Sequence, residues 1–436
     1  MRLVDRFIRR AARSQTTLPW KDRIGKMLKE TYYNAEVLYR IEDKTAPLNI
    51  TLDGGAEKRI NLLIPEINYN SLYGGYMAKF NLARKLVERG YRVRLVVVDP
   101  SVYSPESWRD ALRGYQGLED IFNRVEVAYQ GDRRETLAVG SGDRFIATTW
   151  WTAYLAHHAR EINGGPPFVY LIQEYEPFTF PMGSYFAMAE HSYSFPHKAL
   201  FSSRLLKDFF RNRGIGVFDD RNEGGASSAH FENAIVSYDA AEVDAALTRS
   251  NAGTPDGKRK LLFYARPEAH ATRNMFEVAF LALVRAIEGG VFDGDWEFHG
   301  IGSGHGNIDL PRGNTLRMLG KFGLAEYREA LLRYDVGLSL MYTPHPSLLP
   351  LDMASAGVVV VTNTCMNKTV DELKGLSTNL IGALPHIAGV RDGLELARER
   401  ADDIQARRDG ARVNWAGDWD DCFHGEILAQ MDDWLG

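Results

Sequence analysis

Two apolar stretches flank a proline-rich loop in residues 341–363, which read MYTPHPSLLPLDMASAGVVVVTN. The pattern predicts a buried strand, a loop broken by prolines, a short helix that ends at Gly357, and a second buried strand over 358–362. The start of such a helix offers backbone N–H groups to an anion, and Asp352 in its first turn can accept hydrogen bonds from sugar hydroxyls. We therefore expect this loop to bind a nucleoside diphosphate.

The same alternation of strands and helices continues through the second half of the chain. Strand-like segments lie at 261–265, 296–298, 316–319 and 336–340, and helical patterns separate them. This order predicts an α/β unit with a parallel sheet. Residues 251–260 are rich in Gly, Pro and charge and read as the linker or first loop of that unit.

The first half contains an equivalent unit that closes near residue 240. An apolar strand at 60–65 leads to Gly74 and Gly75, a helical pattern through Leu86, and a second apolar strand at 91–98. Because glycines have no Cβ, this pair would let backbone N–H groups approach a phosphate or a sugar closely. A plain tight turn explains the two glycines about as well. Further strand-like segments lie at 144–148, 168–172 and 199–202.

Together the two units predict an α/β fold of the GT-B type, in which two doubly wound Rossmann-like domains face each other across a cleft. We expect an added basic helical extension at 1–50, an N-terminal domain at 58–240 and a C-terminal domain at 241–410. A helix at 411–436 is expected to return to the N-terminal domain. Ligand loops would lie at the carboxyl ends of the strands.

Composition and charge restrict the class of protein. The 436 residues exceed what one hydrophobic core usually supports, and 45% hydrophobic residues can fill two. A net charge of −5 lacks the basic excess of nucleic-acid-binding surfaces, so nucleic acid is not an expected partner. Cys365 and Cys422 are too few for a disulfide framework or a zinc site, which indicates a reducing compartment. We expect a cytoplasmic protein.

The first thirty residues combine apolar residues at helical spacing with a basic excess. Leu3, Val4, Phe7, Ile8 and Ala11 form the apolar set, among five arginines. Such a segment can lie as a peripheral contact on the anionic cytoplasmic face of the inner membrane. The alternative is packing on the body of the chain or on a second subunit, as in a homodimer. The sequence contains no apolar run long enough to span a bilayer and no secretory signal.

Several short motifs occur in the order that is typical of one known family. They are YARP at 264–267 with Arg273 and Asn274, Gly320-Lys321, HPS at 345–347, PLDMA at 350–354, and LIQEYEP at 171–177. Over roughly residues 60–380 the chain thereby resembles the WsaF-like bacterial rhamnosyltransferases. The resemblance implies a retaining GT-B glycosyltransferase that transfers L-rhamnose from dTDP-L-rhamnose to a surface polysaccharide such as O-antigen, or to a lipid-linked glycan. The wider family has two donor-site glutamates where this chain has Pro344 and Asp352, which leaves the donor sugar open.

The chemistry of a departing nucleoside diphosphate favours the same residues, because its growing negative charge must be stabilised. Arg266, after the first strand of the second domain, can donate two parallel hydrogen bonds to the diphosphate, and Arg273 and Lys321 can add positive charge. Each cation taken singly is about as readily an exposed structural residue. No Asp-x-Asp motif follows the carboxyl end of a predicted strand. We expect neither a metal ion nor another cofactor.

The loop and the glycine pair complete the predicted donor site. We expect the donor to contact Gly74, Gly75, His345, Ser347, Leu348 and Asp352. His345 reads as a rigid-loop residue that contacts the donor, and not as a proton carrier, because no acidic partner lies near it in sequence. Asp352 would hold a ribose hydroxyl, which is compatible with capping its helix.

Three residues are the candidates on the acceptor side. Glu174, Tyr175 and Glu176 follow an apolar strand of the first domain and would face the cleft. Glu174 would orient the acceptor hydroxyl or act as its base and, with Arg266 and Lys321, makes up the predicted catalytic set. Tyr175 and Glu176 would contact the acceptor. The alternative for the two carboxylates is a solvated turn.

Two other functions are compatible with the same fold. A sugar-nucleotide epimerase of GT-B fold would share the architecture, and a non-catalytic carbohydrate-binding protein is consistent with it because fold does not fix function. Turnover of a donor sugar would distinguish the transferase from the binding protein.

Overall fold

The structure is a computed structural model. It describes residues 40–67, 74–101, 108, 112, 114–220, 224–251, 258–302, 304, 306–320 and 322–436. Residues 1–39 of the predicted N-terminal extension, and Lys321 of the predicted site, lie outside the described residues. Within these ranges, no helix combines the length and the apolar character that crossing a membrane requires.

The N-terminal domain is built on one large parallel sheet. Its strands are β1 (Asn49–Leu52), β2 (Ile60–Ile64), β3 (Val93–Val97), β4 (Glu126–Tyr129), β5 (Thr136–Val139), β6 (Arg144–Ala147), β7 (Phe168–Ile172), β8 (His197–Ser202) and β9 (Ser228–Phe231). Seven of them pair in the order β4-β3-β2-β6-β7-β8-β9, and β1 pairs separately with β5. From β2 the chain adds β3 and β4 on one side of the sheet and then continues with β6 on the other side. This switch point between β2 and β6 creates a crevice at the carboxyl ends of the two strands.

The C-terminal domain repeats this topology. Its strands are β10 (Arg259–Tyr264), β11 (Trp296–Ile301), β12 (Ile308–Asp309), β13 (Thr315–Met318), β14 (Val336–Leu338), β15 (Val359–Asn363) and β16 (Leu380–Ala383). They pair in the order β12-β13-β11-β10-β14-β15-β16, and only β12 is antiparallel to its neighbour. The switch point lies between β10 and β14. Two doubly wound sheets confirm the predicted fold class.

Helices cover the faces of the two sheets. They are α1 (Gly74–Glu88), α2 (Ile121–Arg124), α3 (Trp150–Asn163), α4 (Ser184–His191), α5 (Arg204–Arg213), α6 (Ala240–Asn251), α7 (Phe276–Glu288), α8 (Leu324–Leu331), α9 (Leu349–Ser355), α10 (Val370–Leu376), α11 (Ile387–Arg400), α12 (Ile404–Gly410), α13 (Trp419–Cys422) and α14 (Gly425–Leu435). Local chemistry sets several of these ends. In α3, for example, the Thr149 side chain caps the first turn and Gly164 ends the helix with a φ of 68°.

The central strands are apolar because both of their faces are covered. All five residues of β2 and of β3 are buried. Each sheet has a hydrophobic cluster on either side, which gives each domain a core in two layers. This burial explains why these strands read as continuous apolar runs in the sequence.

The end of the chain differs from the sequence expectation in two respects. The helix expected at 411–436 is instead the two helices α13 and α14, and residues 411–418 before them are not helical. The segment 394–408, which reads as one charged helix, contains the end of α11 and the start of α12. The break is explained by Asp403, whose carboxylate accepts a hydrogen bond from the Ala406 N–H at 2.9 Å and caps α12. Beyond it, α14 packs its apolar residues into the core of the N-terminal domain.

Candidate functional site

Two loops meet at the switch point of the C-terminal domain. One follows β10 and contains Arg266 and Arg273, and the other follows β14 and is the proline-rich loop. The Tyr342 N–H donates to the Arg273 carbonyl at 2.8 Å, and the Asn274 amide donates to the Leu340 carbonyl at 3.3 Å. These bonds hold the predicted diphosphate ligands beside the predicted donor loop.

The two arginines of the first loop carry unsatisfied donors. Arg266 donates to the Tyr264 hydroxyl at 3.3 Å and contacts His270 Nε2 at 2.8 Å. Its Nε lies 3.6 Å from Glu268 Oε2, which is too far for a hydrogen bond. Among the described residues, the buried Nε atoms of Arg266 and Arg273 have no hydrogen-bond partner. Because buried polar atoms are normally paired, these two donors indicate a polar ligand.

His345 shapes the proline-rich loop. Its side chain is buried, and its Nδ1 accepts a hydrogen bond from the Ser347 N–H at 3.0 Å. Burial, helped by the nearby cations Lys368 and Arg273, lowers the pKa of His345 to about 3. The ring is therefore neutral near neutral pH and suits a rigid-loop residue, while its contact with the donor stays a prediction. Ser347 has a φ of 68°, a left-handed conformation that is strained for a residue with a Cβ.

Lys368 supports the same loop and is not evident from the sequence. It lies in the turn after β15, is fully buried, and donates from Nζ to the Met341 carbonyl at 2.7 Å and to the His345 carbonyl at 3.4 Å. Burial lowers the pKa of Lys368 to about 8. A lysine after a buried strand gives no sequence signal that distinguishes it from an exposed one.

The predicted glycine pair lies where the two domains approach each other. A Cβ on Gly74 would be 3.5 Å from Leu348 Cδ1 of the C-terminal domain. The Gly75 carbonyl accepts a hydrogen bond from the Gln173 amide at 3.0 Å, and a Cβ on Gly75 would be 3.3 Å from that amide group. The small residues therefore let α1 lie close to the loop after β7 and to the opposite domain.

Glu174 is an N-terminal-domain carboxylate that lies among cations of the C-terminal domain. Burial raises the pKa of Glu174, and the nearby Arg273 and Lys368 and the Thr343 hydroxyl oppose this shift. Its Oε1 also accepts a hydrogen bond from the Tyr175 N–H at 3.1 Å. The structure thus brings Glu174 and Arg273, predicted for opposite sides of the cleft, into one electrostatic cluster.

A cavity of about 140 Å³ adjoins Glu174 at the carboxyl ends of the N-terminal strands. Its polar lining consists of Lys79, Thr148, Thr149, Gln173, Glu174, Glu176 and Tyr193. Glu176 accepts a hydrogen bond from the Trp150 N–H at the start of α3, and burial raises its pKa to about 7. Lys79 is 5% exposed, and burial lowers its pKa to about 8. Lys79, on the inner side of α1, is absent from the sequence-based site.

Tyr175 packs into the core of the N-terminal domain. The side chain is 4% exposed and its ring stacks on Tyr193, with ring centroids 5.7 Å apart. Its hydroxyl donates to Glu190 Oε1 at 3.1 Å. The clustered aromatic residues of this region are thus largely core residues, and a contact of Tyr175 with the acceptor stays a prediction.

Asp352 makes hydrogen bonds with the protein through both carboxylate oxygens. Oδ1 accepts from the Val236 N–H at 2.8 Å, and Oδ2 accepts from the Tyr327 hydroxyl at 2.9 Å. The residue is 8% exposed, and burial raises its pKa to about 7. Its helix, α9, has only seven residues. Contact between Asp352 and a ribose stays a prediction.

The part of the chain that the structure describes contains no candidate metal site. No group of three or more His, Cys, Asp or Glu residues there is arranged to hold a metal ion.

Comparison with known proteins identifies the family. The family models for the WsaF N-terminal domain and the WsaF C-terminal domain match residues 59–204 and 259–395. The O-antigen biosynthesis protein RfbC of Myxococcus xanthus is 29% identical over 301 residues, which cover 65% of this chain and 20% of that protein. The chain therefore spans about one fifth of the length of this relative.

Solved structures share the fold at low identity. HepE of Anabaena, crystallised with UDP and glucose, superposes with a TM-score of 0.52 at 12% identity, covering 87% of this chain and 96% of HepE. Sucrose-phosphate synthase of Thermosynechococcus elongatus gives a TM-score of 0.52 at 11% identity, covering 86% of this chain and 98% of the synthase. The chain therefore belongs to the WsaF family and has the GT-B fold of glycosyltransferases.

Proposed function

We propose that the chain is a glycosyltransferase that transfers L-rhamnose from dTDP-L-rhamnose to a growing surface polysaccharide or lipid-linked glycan at the cytoplasmic face of the membrane. The observation that carries the proposal is the pair of buried, unpaired Nε donors of Arg266 and Arg273 at the switch point. RfbC is named for O-antigen biosynthesis, and HepE was crystallised with a nucleoside diphosphate and a sugar. The HepE complex supports a donor of the nucleotide-sugar class, and the RfbC name supports a surface polysaccharide as the product.

The arginines would act on the leaving group. As the glycosidic bond of the donor breaks, the diphosphate gains negative charge, and fixed cations at its oxygens lower the barrier. Arg266 and Arg273 can form charge-assisted hydrogen bonds with these oxygens. Lys321, which follows Gly320 in the sequence, would add a further charge.

The acceptor would approach from the N-terminal domain. The cavity beside Glu174 offers two carboxyl groups, an ammonium group and hydroxyl groups to a sugar. Glu174 lies between this cavity and the cationic cluster, so it can orient the attacking hydroxyl toward the donor. In a retaining reaction the departing phosphate can take the hydroxyl proton, and Glu174 would then position the acceptor without acting as the base.

Thermal stabilisation by nucleotides tests the donor side. At a ligand concentration about 100 times the Kd, stability rises by about 2.7 kcal/mol, and each kcal/mol raises Tm by roughly 2–4 °C in domains of this size. We expect dTDP and dTDP-L-rhamnose to raise Tm by roughly 5 °C or more, and UDP- and GDP-sugars to raise it less. Arg266→Ala and Arg273→Ala should each weaken binding roughly 10- to 100-fold.

Exposed Arg285 on α7 provides the matched control, since it lies in the same domain away from the site. Arg285→Ala should bind dTDP as the wild type does. A preference for UDP or GDP ligands would contradict the dTDP donor, and an unchanged Tm with every nucleotide would contradict the transferase proposal.

Product analysis distinguishes the alternatives. An epimerase would convert the sugar of the nucleotide-sugar without an acceptor, whereas a transferase would release nucleoside diphosphate and form a new glycoside. A carbohydrate-binding protein would show neither product.

A further inference from the structure

Two segments connect the domains and contact each other. Residues 232–239 run from β9 to α6, and residues 411–418 lead from α12 back toward the N-terminal domain. The Ile235 N–H donates to the Ala416 carbonyl at 3.0 Å, and the Trp415 indole N–H donates to the Asn233 carbonyl at 2.7 Å. Because hinge motion is absorbed by a few residues in such connections, any rotation of one domain against the other would bend this pair of segments.

Helix α9, directly after the proline-rich loop, holds one residue of the first segment by both of its backbone polar groups. Asp352 Oδ1 accepts from the Val236 N–H at 2.8 Å, and the Ser355 hydroxyl donates to the Val236 carbonyl at 2.6 Å. Asp352 and Ser355 are three positions apart, so they share one face of the helix. This face of α9 therefore contacts the interdomain connection.

Helix α8 reinforces the same contact. The Tyr327 hydroxyl donates to Asp352 Oδ2 at 2.9 Å, which engages the second carboxylate oxygen. The next residue, Arg328, donates to the Ser237 carbonyl, and its guanidinium lies 4.5 Å from the ring centroid of Tyr238. The side chains of both helices thus hold residues 236–238 to the C-terminal domain.

We propose that Asp352 and Ser355 clamp Val236, so that Asp352 is a positioning residue that ties the donor loop to the interdomain connection and is not a ligand of the donor ribose. The proposal rests on the proposed function, because it concerns how a nucleotide donor is bound. The clamp changes how strongly the site is expected to distinguish nucleotides that differ in one ribose hydroxyl. A site that hydrogen-bonds a substrate hydroxyl rejects the analogue that lacks it, whereas a site whose carboxylate is already engaged does not.

The comparison of dTDP with 3′-deoxy-dTDP tests this, because the 3′-hydroxyl is the one free sugar hydroxyl of the dTDP nucleoside and the two nucleotides differ only in it. Calorimetric titration of the full chain should give Kd values within roughly threefold of each other, a difference below 1 kcal/mol. Asp352→Ala and Ser355→Ala should each raise the Kd values of both nucleotides by the same factor. If dTDP instead binds more than about tenfold tighter than 3′-deoxy-dTDP, and Asp352→Ala removes the difference, Asp352 is a ribose ligand and the clamp proposal is wrong.

Asn163→Ala is the control. Asn163 is the buried last residue of α3, and its side-chain amide donates to the Gly140 carbonyl at 3.2 Å and to the Asp143 carbonyl at 3.0 Å, away from the interdomain connection. Its loss should lower stability and leave both nucleotide affinities unchanged. Equal losses of affinity in Asn163→Ala and Ser355→Ala would show a general effect of destabilisation and would overturn the clamp.

Hydrogen exchange at Val236 separates failure of the clamp from failure of the proposed function. We expect slow exchange of this amide in the wild type, faster exchange in Asp352→Ala, and no change in Asn163→Ala. If the wild type binds neither nucleotide but shows this exchange pattern, the donor proposal fails and the clamp stands. If the Val236 amide exchanges as slowly in Asp352→Ala as in the wild type, the clamp proposal is wrong.

Discussion

Burial of ionisable groups is the common property of the individual residues around the cleft. Burial disfavours the charged form, so it raises the pKa of Glu176 and of Asp352 to about 7 and lowers the pKa of Lys79 and of Lys368 to about 8. Carboxyl and ammonium groups of ordinary pKa would not change charge near neutral pH. Because burial brings the pKa values of these four groups close to neutrality, we expect ligand binding in the cleft to depend on pH near neutral pH.

Glu232 offers a test of this effect outside the candidate site. Burial raises its pKa to about 7, and the folded state therefore holds a proton that the unfolded chain releases at lower pH. The resulting stability is fully present below the unfolded pKa of about 4.5 and is lost as pH rises to about 7. Glu232→Gln cannot ionise and keeps an oxygen that can accept from the Arg204 N–H.

We expect Glu232→Gln to be about 1–3 kcal/mol more stable than the wild type near pH 8 and to show a flatter dependence between about pH 4.5 and 7. Urea unfolding across this range measures the effect. The exposed residue Glu329 gives the control Glu329→Gln, which should leave the pH dependence as it is. A wild-type curve without this slope would contradict the raised pKa.

At the scale of elements, the buried side chain of Arg407 is one of the contacts that fix α12 to the C-terminal sheet. Arg407 is 2% exposed, lies 3.1 Å from Asp335 Oδ1, and donates to the Gly357 carbonyl at 2.7 Å and to the Tyr334 carbonyl at 3.2 Å. Gly357 ends the turn after α9. Arg407 therefore connects α12 to the element that follows the donor loop.

Arg407→Ala should lower the free energy of unfolding by about 3–5 kcal/mol, because it leaves a buried carboxylate without its cation. The neighbouring residue provides the control. Arg408 pairs with Asp244 near the surface, and Arg408→Ala should cost about 1 kcal/mol or less. Denaturant unfolding of both variants measures the difference. Equal losses would mean that the Arg407 bonds contribute no more than a surface ion pair.

At the scale of the whole molecule, the end of the chain belongs to the domain at its beginning. Helix α14 places Ile427, Met431, Trp434 and Leu435 in the cluster that also contains β2, β3 and α1. The chain thus crosses between the domains twice, and the two crossings contact each other. The core of the N-terminal domain is incomplete without the last helix.

Met431 tests this dependence, since its side chain is fully buried. Met431→Ala should destabilise the protein by about 2–5 kcal/mol through lost burial and the cavity left behind. The loss should appear as faster hydrogen exchange in β2 and β3, far away in sequence. The exposed Asp433 gives the control Asp433→Ala, with little change expected. Unchanged exchange in β2 and β3 would contradict a shared core.

The candidate site was only partly predictable. The sequence points to Arg266, Arg273 and His345 because they follow apolar strands, and the carboxyl ends of parallel strands are where such sheets bind ligands. It gives no reason to select Lys79 or Lys368. Their ammonium groups belong to the site because burial places them beside Glu176 and the proline-rich loop.

By itself, the sequence of this protein determined the two α/β units, the succession of their central strands along the chain, and the loops that carry polar residues at strand ends. Hydrophobic periodicity and turn residues act locally, so they can be read without coordinates. Only the tertiary structure decided that Glu174 lies near Arg273, that Asp352 holds Val236, and which residues of α14 enter the first core. These contacts join residues far apart in the chain, and their energies depend on burial, which no local pattern encodes.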